Sequence, residues 1–211
     1  MALDEQLVIT CIRHGVTEGN ERKAYIGWTD QPLAEQGKVQ LMNCREYYPH
    51  SPDLVVGSDL QRCRETAAIL YPNIPYIPMK EWRELHFGEW EGKTHDELQE
   101  RSTYQSWLND PFQIPVENGE RFDEFSERIW QAWDLSVAKL LACNGKHLVI
   151  VSHGGVLKRL ASAFSAEKKQ FWDWHFSPGE GGQWIHTIQT ARSKKQCISY
   201  LAVPLMENEN G

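Results

Sequence analysis

The chain has 211 residues, a formal net charge of −7, 41 % hydrophobic and 24 % charged residues, a balance that suits one domain burying roughly 70 % of its unfolded surface. No apolar run approaches the ~18–20 residues that span a membrane, the N-terminal MALDEQ carries acid where a leader carries base, and the negative charge gives no pull toward nucleic acid. A soluble, cytoplasmic protein without nucleic-acid or membrane partners is expected, with Cys11, Cys44, Cys63, Cys143 and Cys197 as reduced small hydrophobes.

In chain order, Leu7 to Ile12 form an apolar, β-prone run that ends abruptly in Arg13, His14 and Gly15. It reads as a buried strand with a polar cluster at its carboxyl edge. Pro32 to Gly37 lead into a helix ending near Tyr48 and Pro49. Asp53 to Val56 read as a short strand. Ser58 with Gln61 forms a capping-box pattern, and Leu60, Cys63, Ala67 and Leu70 recur at helical spacing. Arg62 therefore falls in a first helical turn, just past a strand end.

Tyr71 to Pro78 are proline-rich and suit a short edge strand. Glu81 to Gly92 read as a loop, and Thr94 with Glu97 as a capping box that opens a helix to about Leu108. From Asn118-Gly119 a longer helix aligns Phe122, Phe125, Ile129, Trp133, Val137 and Leu140 on one face, with Gly145 beyond its end. His147 to Val151 form a third buried strand that ends in Ser152, His153, Gly154 and Gly155, before a helix over Val156 to Phe164. A turn at Ser177 to Gly182 precedes two strands, Trp184 to Gln189 and Cys197 to Val203. Strand and helix alternate, which predicts an α/β fold: a three-layer α/β/α sandwich with a mainly parallel sheet and an antiparallel edge.

Three strand ends thus deliver Arg13 with His14, Ser58 with Arg62, and His153 to one sheet edge. Two guanidiniums and two imidazoles make an oxyanion pocket, because planar donors match phosphate oxygens and helix N-termini add N–H groups. A metal site is the competing reading of two histidines and a carboxylate, but HExxH-type spacing is missing and the arginines would repel a cation. Ser58, Ser152 and Cys11 are alternative nucleophiles; Cys11 lies within the strand, and Ser58 is better explained as a helix cap.

These residues resemble the histidine phosphatase superfamily, with its phosphoglycerate-mutase-like fold. RHGVTEGN (Arg13 to Asn20) resembles the RHGxTxxN signature and SDLQRCRETA (Ser58 to Ala67) the SxLxRxxxTA helix start; ELHFGEWEG (Glu84 to Gly92) is similar to the acid loop and SHGG (Ser152 to Gly155) to the second histidine motif. The resemblance implies that His14 is the nucleophile and forms a phosphohistidine. It implies that Arg13, Arg62 and His153 hold the phosphoryl oxygens, that Asn20 and Gly154 support substrate binding, and that Glu84 protonates the leaving alcohol and then activates water. Neither metal nor cofactor is implied, and the partner is a small-molecule phosphomonoester.

His14 must be neutral at its attacking nitrogen, which Arg13 and Arg62 favour. Glu84 must begin protonated, through burial in an apolar loop with Phe87 and Trp90 or through the phosphate's charge. Trp28, Trp82 and Trp90 flank the motifs and are candidate pocket walls, His86 reads as loop packing, and Arg22 with Lys23 as a solvated turn or a second anion site.

ELHFGEWEG resembles the phosphatase form of the acid loop. With NGERFDEFSERI (Asn118 to Ile129) it looks most like the branch containing α-ribazole phosphatases, so α-ribazole 5'-phosphate is a candidate substrate. The alternatives are a cofactor-dependent phosphoglycerate mutase and a non-catalytic phosphate-binding scaffold on the same fold. One domain over residues 1–211 is expected, with a cap region at about residues 83–119 over the site.

Overall fold

A computed structural model describes residues 4–166 and 169–204; Met1 to Leu3 of the acid-bearing N-terminus lie outside them. Its elements in chain order are β1 (Gln6–Arg13), α1 (Glu18–Glu21), α2 (Glu35–Cys44), β2 (Leu54–Gly57), α3 (Gln61–Leu70), β3 (Tyr76–Pro78), α4 (His95–Leu98), α5 (Ser102–Asn109), α6 (Phe122–Ala142), β4 (His147–Ser152), α7 (Gly154–Phe164), β5 (Gly181–Thr187), α8 (Ile188–Arg192) and β6 (Ser199–Val203). The strands form one sheet in the order β3-β2-β4-β1-β5-β6. β1, β2, β3 and β4 run parallel, while β5 pairs antiparallel with β1 and β6 antiparallel with β5. The expected sheet with its antiparallel edge is therefore present.

The period of two in each central strand sorts its side chains into two cores. Leu7, Ile9 and Cys11 of β1, Val56 of β2, and Leu148 and Ile150 of β4 pack on one face with α6 and α7. Ile12, Val55, Val149 and Val151 pack on the other with Leu41 of α2 and with Cys63, Ala67 and Leu70 of α3. Along α6, Phe125, Ile129, Trp133, Val137 and Leu140 are buried at the predicted spacing. Each contributes about 1.5–3 kcal/mol of transfer free energy.

The strand order places the site. β1 and β4 are neighbours in register, with Arg13 opposite Ser152. α2, which comes after β1 and the short α1, and α7, which follows β4, cover opposite faces, which opens a crevice at the carboxyl ends of these two strands.

Several local expectations are corrected. The Ser58/Gln61 capping box does not form: α3 begins at Gln61 with Leu60 as its N-cap, and the first helical amide donates instead to Asp30 Oδ1 at 2.7 Å. The Thr94/Glu97 box does form, yet its helix stops after one turn and restarts at Ser102. Leu98 and Tyr104 are both fully buried, and six residues of continuous helix at ~100° each would point them about 120° apart. The break brings both to the core. The strand expected over Trp184 to Gln189 ends at Thr187, which caps α8 through a capping box with Thr190. Among the described residues no helix is long and apolar enough to cross a membrane.

Candidate active site

His14 follows the last residue of β1 and is held by the sheet: its backbone N–H donates to Ser152 O at 2.9 Å. The next amide, Gly15 N–H, donates to Thr66 Oγ1 at 3.0 Å, which ties the turn to α3. The imidazole is 4 % exposed, and Nδ1 stands 2.7 Å from Gly15 O. A carbonyl only accepts, so Nδ1 carries the proton and Nε2 keeps its lone pair. Burial, then Arg62 and Arg13, hold the His14 imidazolium well below its ordinary range, against a smaller opposite pull from the Gly15 carbonyl. The sequence assigns that effect to the two arginines; burial is the larger cause.

The two guanidiniums come from separate elements. Arg13 Nη1 donates to Phe176 O at 2.7 Å. Arg62, fully buried, donates to Gly27 O at 2.6 Å and Thr29 O at 2.9 Å. In both residues the Nε–H is buried with no partner among the described residues. Two desolvated cationic donors thus stand near His14 with hydrogen-bonding capacity unmet.

His153, the N-cap of α7, is 1 % exposed, and its ring centroid lies 5.2 Å from that of His14. Its Nδ1 accepts from Arg62 Nη2 at 3.2 Å, so the proton sits on Nε2, 3.6 Å from Cys63 Sγ. Burial, Arg62, His14, Arg13 and Arg128 hold its imidazolium well below the ordinary range.

Glu84 is 9 % exposed. Its Oε1 accepts from Leu85 N at 2.9 Å and its Oε2 from Gly155 N at 2.8 Å, in the first turn of α7. A Cβ at Gly155 would run into Glu84 Oε1, whereas one at Gly154 would meet Arg13 at 3.5 Å or more. Glycine at 155 is thus what lets the carboxylate reach the helix start.

Asn20 lines the same cavity, but its Oδ1 caps α1 by accepting from Thr17 N and Oγ1, each at 3.1 Å. Arg13, His14, Glu84 and Gly154 therefore line one cavity with Asn20, while Arg62 and His153 are buried off its wall, bonded to each other and reaching it through the His153 ring beside His14. Tryptophan is where the sequence reading errs. Trp82 and Trp90 are fully buried in the core, Trp90 packing against Tyr104 and Trp107 rather than Glu84. Trp28 lies under Arg83 and Arg128 and donates to Glu84 O at 2.9 Å. The cavity, about 490 Å³, is walled instead by Trp107 and Trp172, with Phe87, Phe122, Phe171 and Lys158. Arg22 and Lys23 are exposed and off its wall, and His86 packs on Trp28 with tilted rings 4.9 Å apart, a packing residue as expected.

Two supporting residues escape a local reading. Glu91 collects the amides of Gly27, Trp28, Thr29 and Phe87 at 2.8–3.2 Å, and so shapes the loop whose carbonyls hold Arg62. Burial by itself raises the Glu91 carboxyl, but the hydrogen bonds from Thr29, Trp28 and Phe87 prevail and hold it below its ordinary range. Arg128 of α6 pairs with Glu120 through both ends of the fork, at 2.9 and 2.8 Å. It also donates to the carbonyls of Glu81, Arg83 and Glu84 at 2.8, 2.9 and 3.1 Å, fixing the acid loop from behind.

The chain is similar in sequence and fold to known proteins. Residues 9–193 fit the family described as the histidine phosphatase superfamily, branch 1. The chain is 32 % identical over 176 residues to the adenosylcobalamin/alpha-ribazole phosphatase of Salmonella typhimurium, covering 81 % of this chain and 85 % of that protein. It is 28 % identical over 163 residues to a glucosyl-3-phosphoglycerate phosphatase of Mycolicibacterium vanbaalenii, covering 74 % and 72 %. The crystal structure of the alpha-ribazole phosphatase from Shigella flexneri superposes with a TM-score of 0.79 at 27 % identity, over 97 % of this chain and 100 % of that one. With the family model spanning most of the chain and both histidine motifs, the protein belongs to the histidine phosphatase superfamily and is a phosphatase of that type.

Proposed function

We propose that the protein is a metal-independent phosphomonoester hydrolase that works through a phosphohistidine intermediate, with α-ribazole 5'-phosphate as its substrate. The observation that carries the reading is the pairing of His14, whose Nε2 keeps its lone pair, with two buried guanidiniums whose Nε–H groups are unpartnered. A phosphoryl group between them meets a nucleophile and the charge its transition state needs. In the first step the His14 Nε2–P bond forms as the P–O bond to the alcohol breaks, and Glu84 gives the alcohol its proton. Arg13 and Arg62 hold the non-bridging oxygens. His153 completes this charged end, its Nδ1 accepting from Arg62 Nη2 and its ring 5.2 Å from that of His14. In the second step Glu84 takes a proton from water, whose oxygen attacks phosphorus, and the P–N bond breaks to leave inorganic phosphate and free His14.

The names of the Salmonella typhimurium and Shigella flexneri proteins support the choice of substrate. The test is a phosphatase assay with a chelator present, comparing wild type with His14→Ala on α-ribazole 5'-phosphate, phosphoserine and 3-phosphoglycerate. The reading expects chelator-resistant turnover, greatest on α-ribazole 5'-phosphate and absent from the variant. Turnover that survives in His14→Ala would contradict it, and bisphosphoglycerate-stimulated isomerisation of 3-phosphoglycerate would select the mutase.

A further inference from the structure

The cavity has two ends of different chemistry. Beyond the charged end its wall is aromatic: Tyr25 and Phe87, Trp107 of α5, Phe122 of α6, and Phe171 with Trp172 from the segment after α7. The Trp107 and Trp172 rings meet nearly at right angles, 84°, with centroids 6.3 Å apart. Trp172 is 44 % exposed although it is a large indole, as are Leu108 beside it on the wall at 44 % and Phe112, 6.2 Å from Trp172, at 40 %. Exposed apolar residues gathered at a cavity mouth mark a contact surface rather than leftover core.

One polar group interrupts this wall. Lys158 lies one helical turn beyond Gly154 and Gly155, with Nζ 5.3 Å from the Trp172 ring centroid and 5.9 Å from that of Phe171. Among the described residues its ammonium has no hydrogen-bond acceptor or ion-pair partner, and burial holds it below the ordinary lysine range. A half-buried ammonium stacked on two rings and facing a cavity is a donor set out for a ligand.

We propose that Trp107, Trp172 and Lys158 form a leaving-group subsite for a flat aromatic alcohol that bears a hydrogen-bond acceptor or an anionic group. The inference rests on the phosphomonoesterase reading above, and it makes these residues the determinants of specificity. The exposed face of Trp172 accepts a ring by stacking, the small uncovered part of Trp107, 5 % exposed, closes the corner, and Lys158 meets the ring's acceptor. A compact polar alcohol would leave that surface uncovered and the ammonium unmet.

Three alkyl phosphates of similar intrinsic reactivity test it: butyl phosphate, naphthylethyl phosphate, and naphthylethyl phosphate with a ring carboxylate. For wild type, kcat/KM should favour the naphthyl ester over butyl by about tenfold or more, and the carboxylate should add to that preference. Trp172→Ala should lower the naphthyl-to-butyl ratio about tenfold, mostly through KM. Lys158→Met should remove the advantage of the carboxylate while keeping that of the ring. Equal kcat/KM for all three esters in wild type, a measurement that needs no variant, overturns the subsite and leaves the phosphatase reading standing; so do ratios that neither substitution changes. Failure of wild type to hydrolyse any of them, together with the metabolite panel above, overturns both.

Discussion

Glu84 Oε2 accepts the backbone N–H of Gly155 at 2.8 Å, so the loop's carboxylate is docked on the first turn of the helix that begins just after His153. The contact joins two motifs that lie far apart in sequence and sets Glu84 against the crevice where His14 stands.

Gly155→Ala tests that junction. The new Cβ would collide with Glu84 Oε1 and push the carboxylate away, while α7 gains helix propensity. The expected result is a folded protein whose kcat on alkyl phosphates falls by about 10²–10⁴, the usual worth of a positioned acid, with a smaller fall on nitrophenyl phosphate. Steady-state kinetics on the two esters measures it.

The Arg128–Glu120 pair supports the same loop from behind, with side chains only 15 % and 11 % exposed. Arg128→Met leaves Glu120 buried without its partner and frees three loop carbonyls, and should cost about 3–5 kcal/mol in urea unfolding. The double variant Arg128→Met with Glu120→Met removes the stranded charge, so it should be more stable than Arg128→Met alone. Non-additivity in the cycle is the quantity to read.

His186 gives the fold an acid-side weakness. It is fully buried between Trp133 and Phe164, with ring centroids at 5.7 and 4.7 Å, and burial pushes its pKa down to about 4. The unfolded chain takes up this proton near pH 6.5, so the native state is disfavoured as pH falls from about 6.5 to about 4, by roughly 3 kcal/mol. Above pH 6.5 the contribution is fully present. His186→Leu should flatten this part of the stability–pH curve, which denaturant melts at pH 7, 5.5 and 4 would show.

Much of the sheet and the charged end of the site was legible because the information is local. β1 and β4 are apolar runs that stop at RHG and SHGG, and polar residues at parallel strand ends fall on one edge whatever the loops do. Arg62 was found the same way, although the reason given for its helix start was wrong: the cap comes from Asp30, about thirty residues upstream. What the sequence hid is non-local. Glu91 serves the loop of Gly27 to Thr29, and Trp172 joins Trp107 from across the chain. Nearness to a motif promoted Trp28, Trp82 and Trp90, but the first lies under two arginines and the other two serve the core. For Lys158 a signal did exist: a cation one turn past SHGG, on the helix that leaves the site.

The most direct test of the account is to trap the intermediate. Wild type mixed with a phosphate-labelled alkyl phosphomonoester and quenched in alkali during the first turnovers should carry label that is stable in base, lost in acid and located on His14, and His14→Ala should carry none. Turnover without label, or label on any other residue, would contradict it.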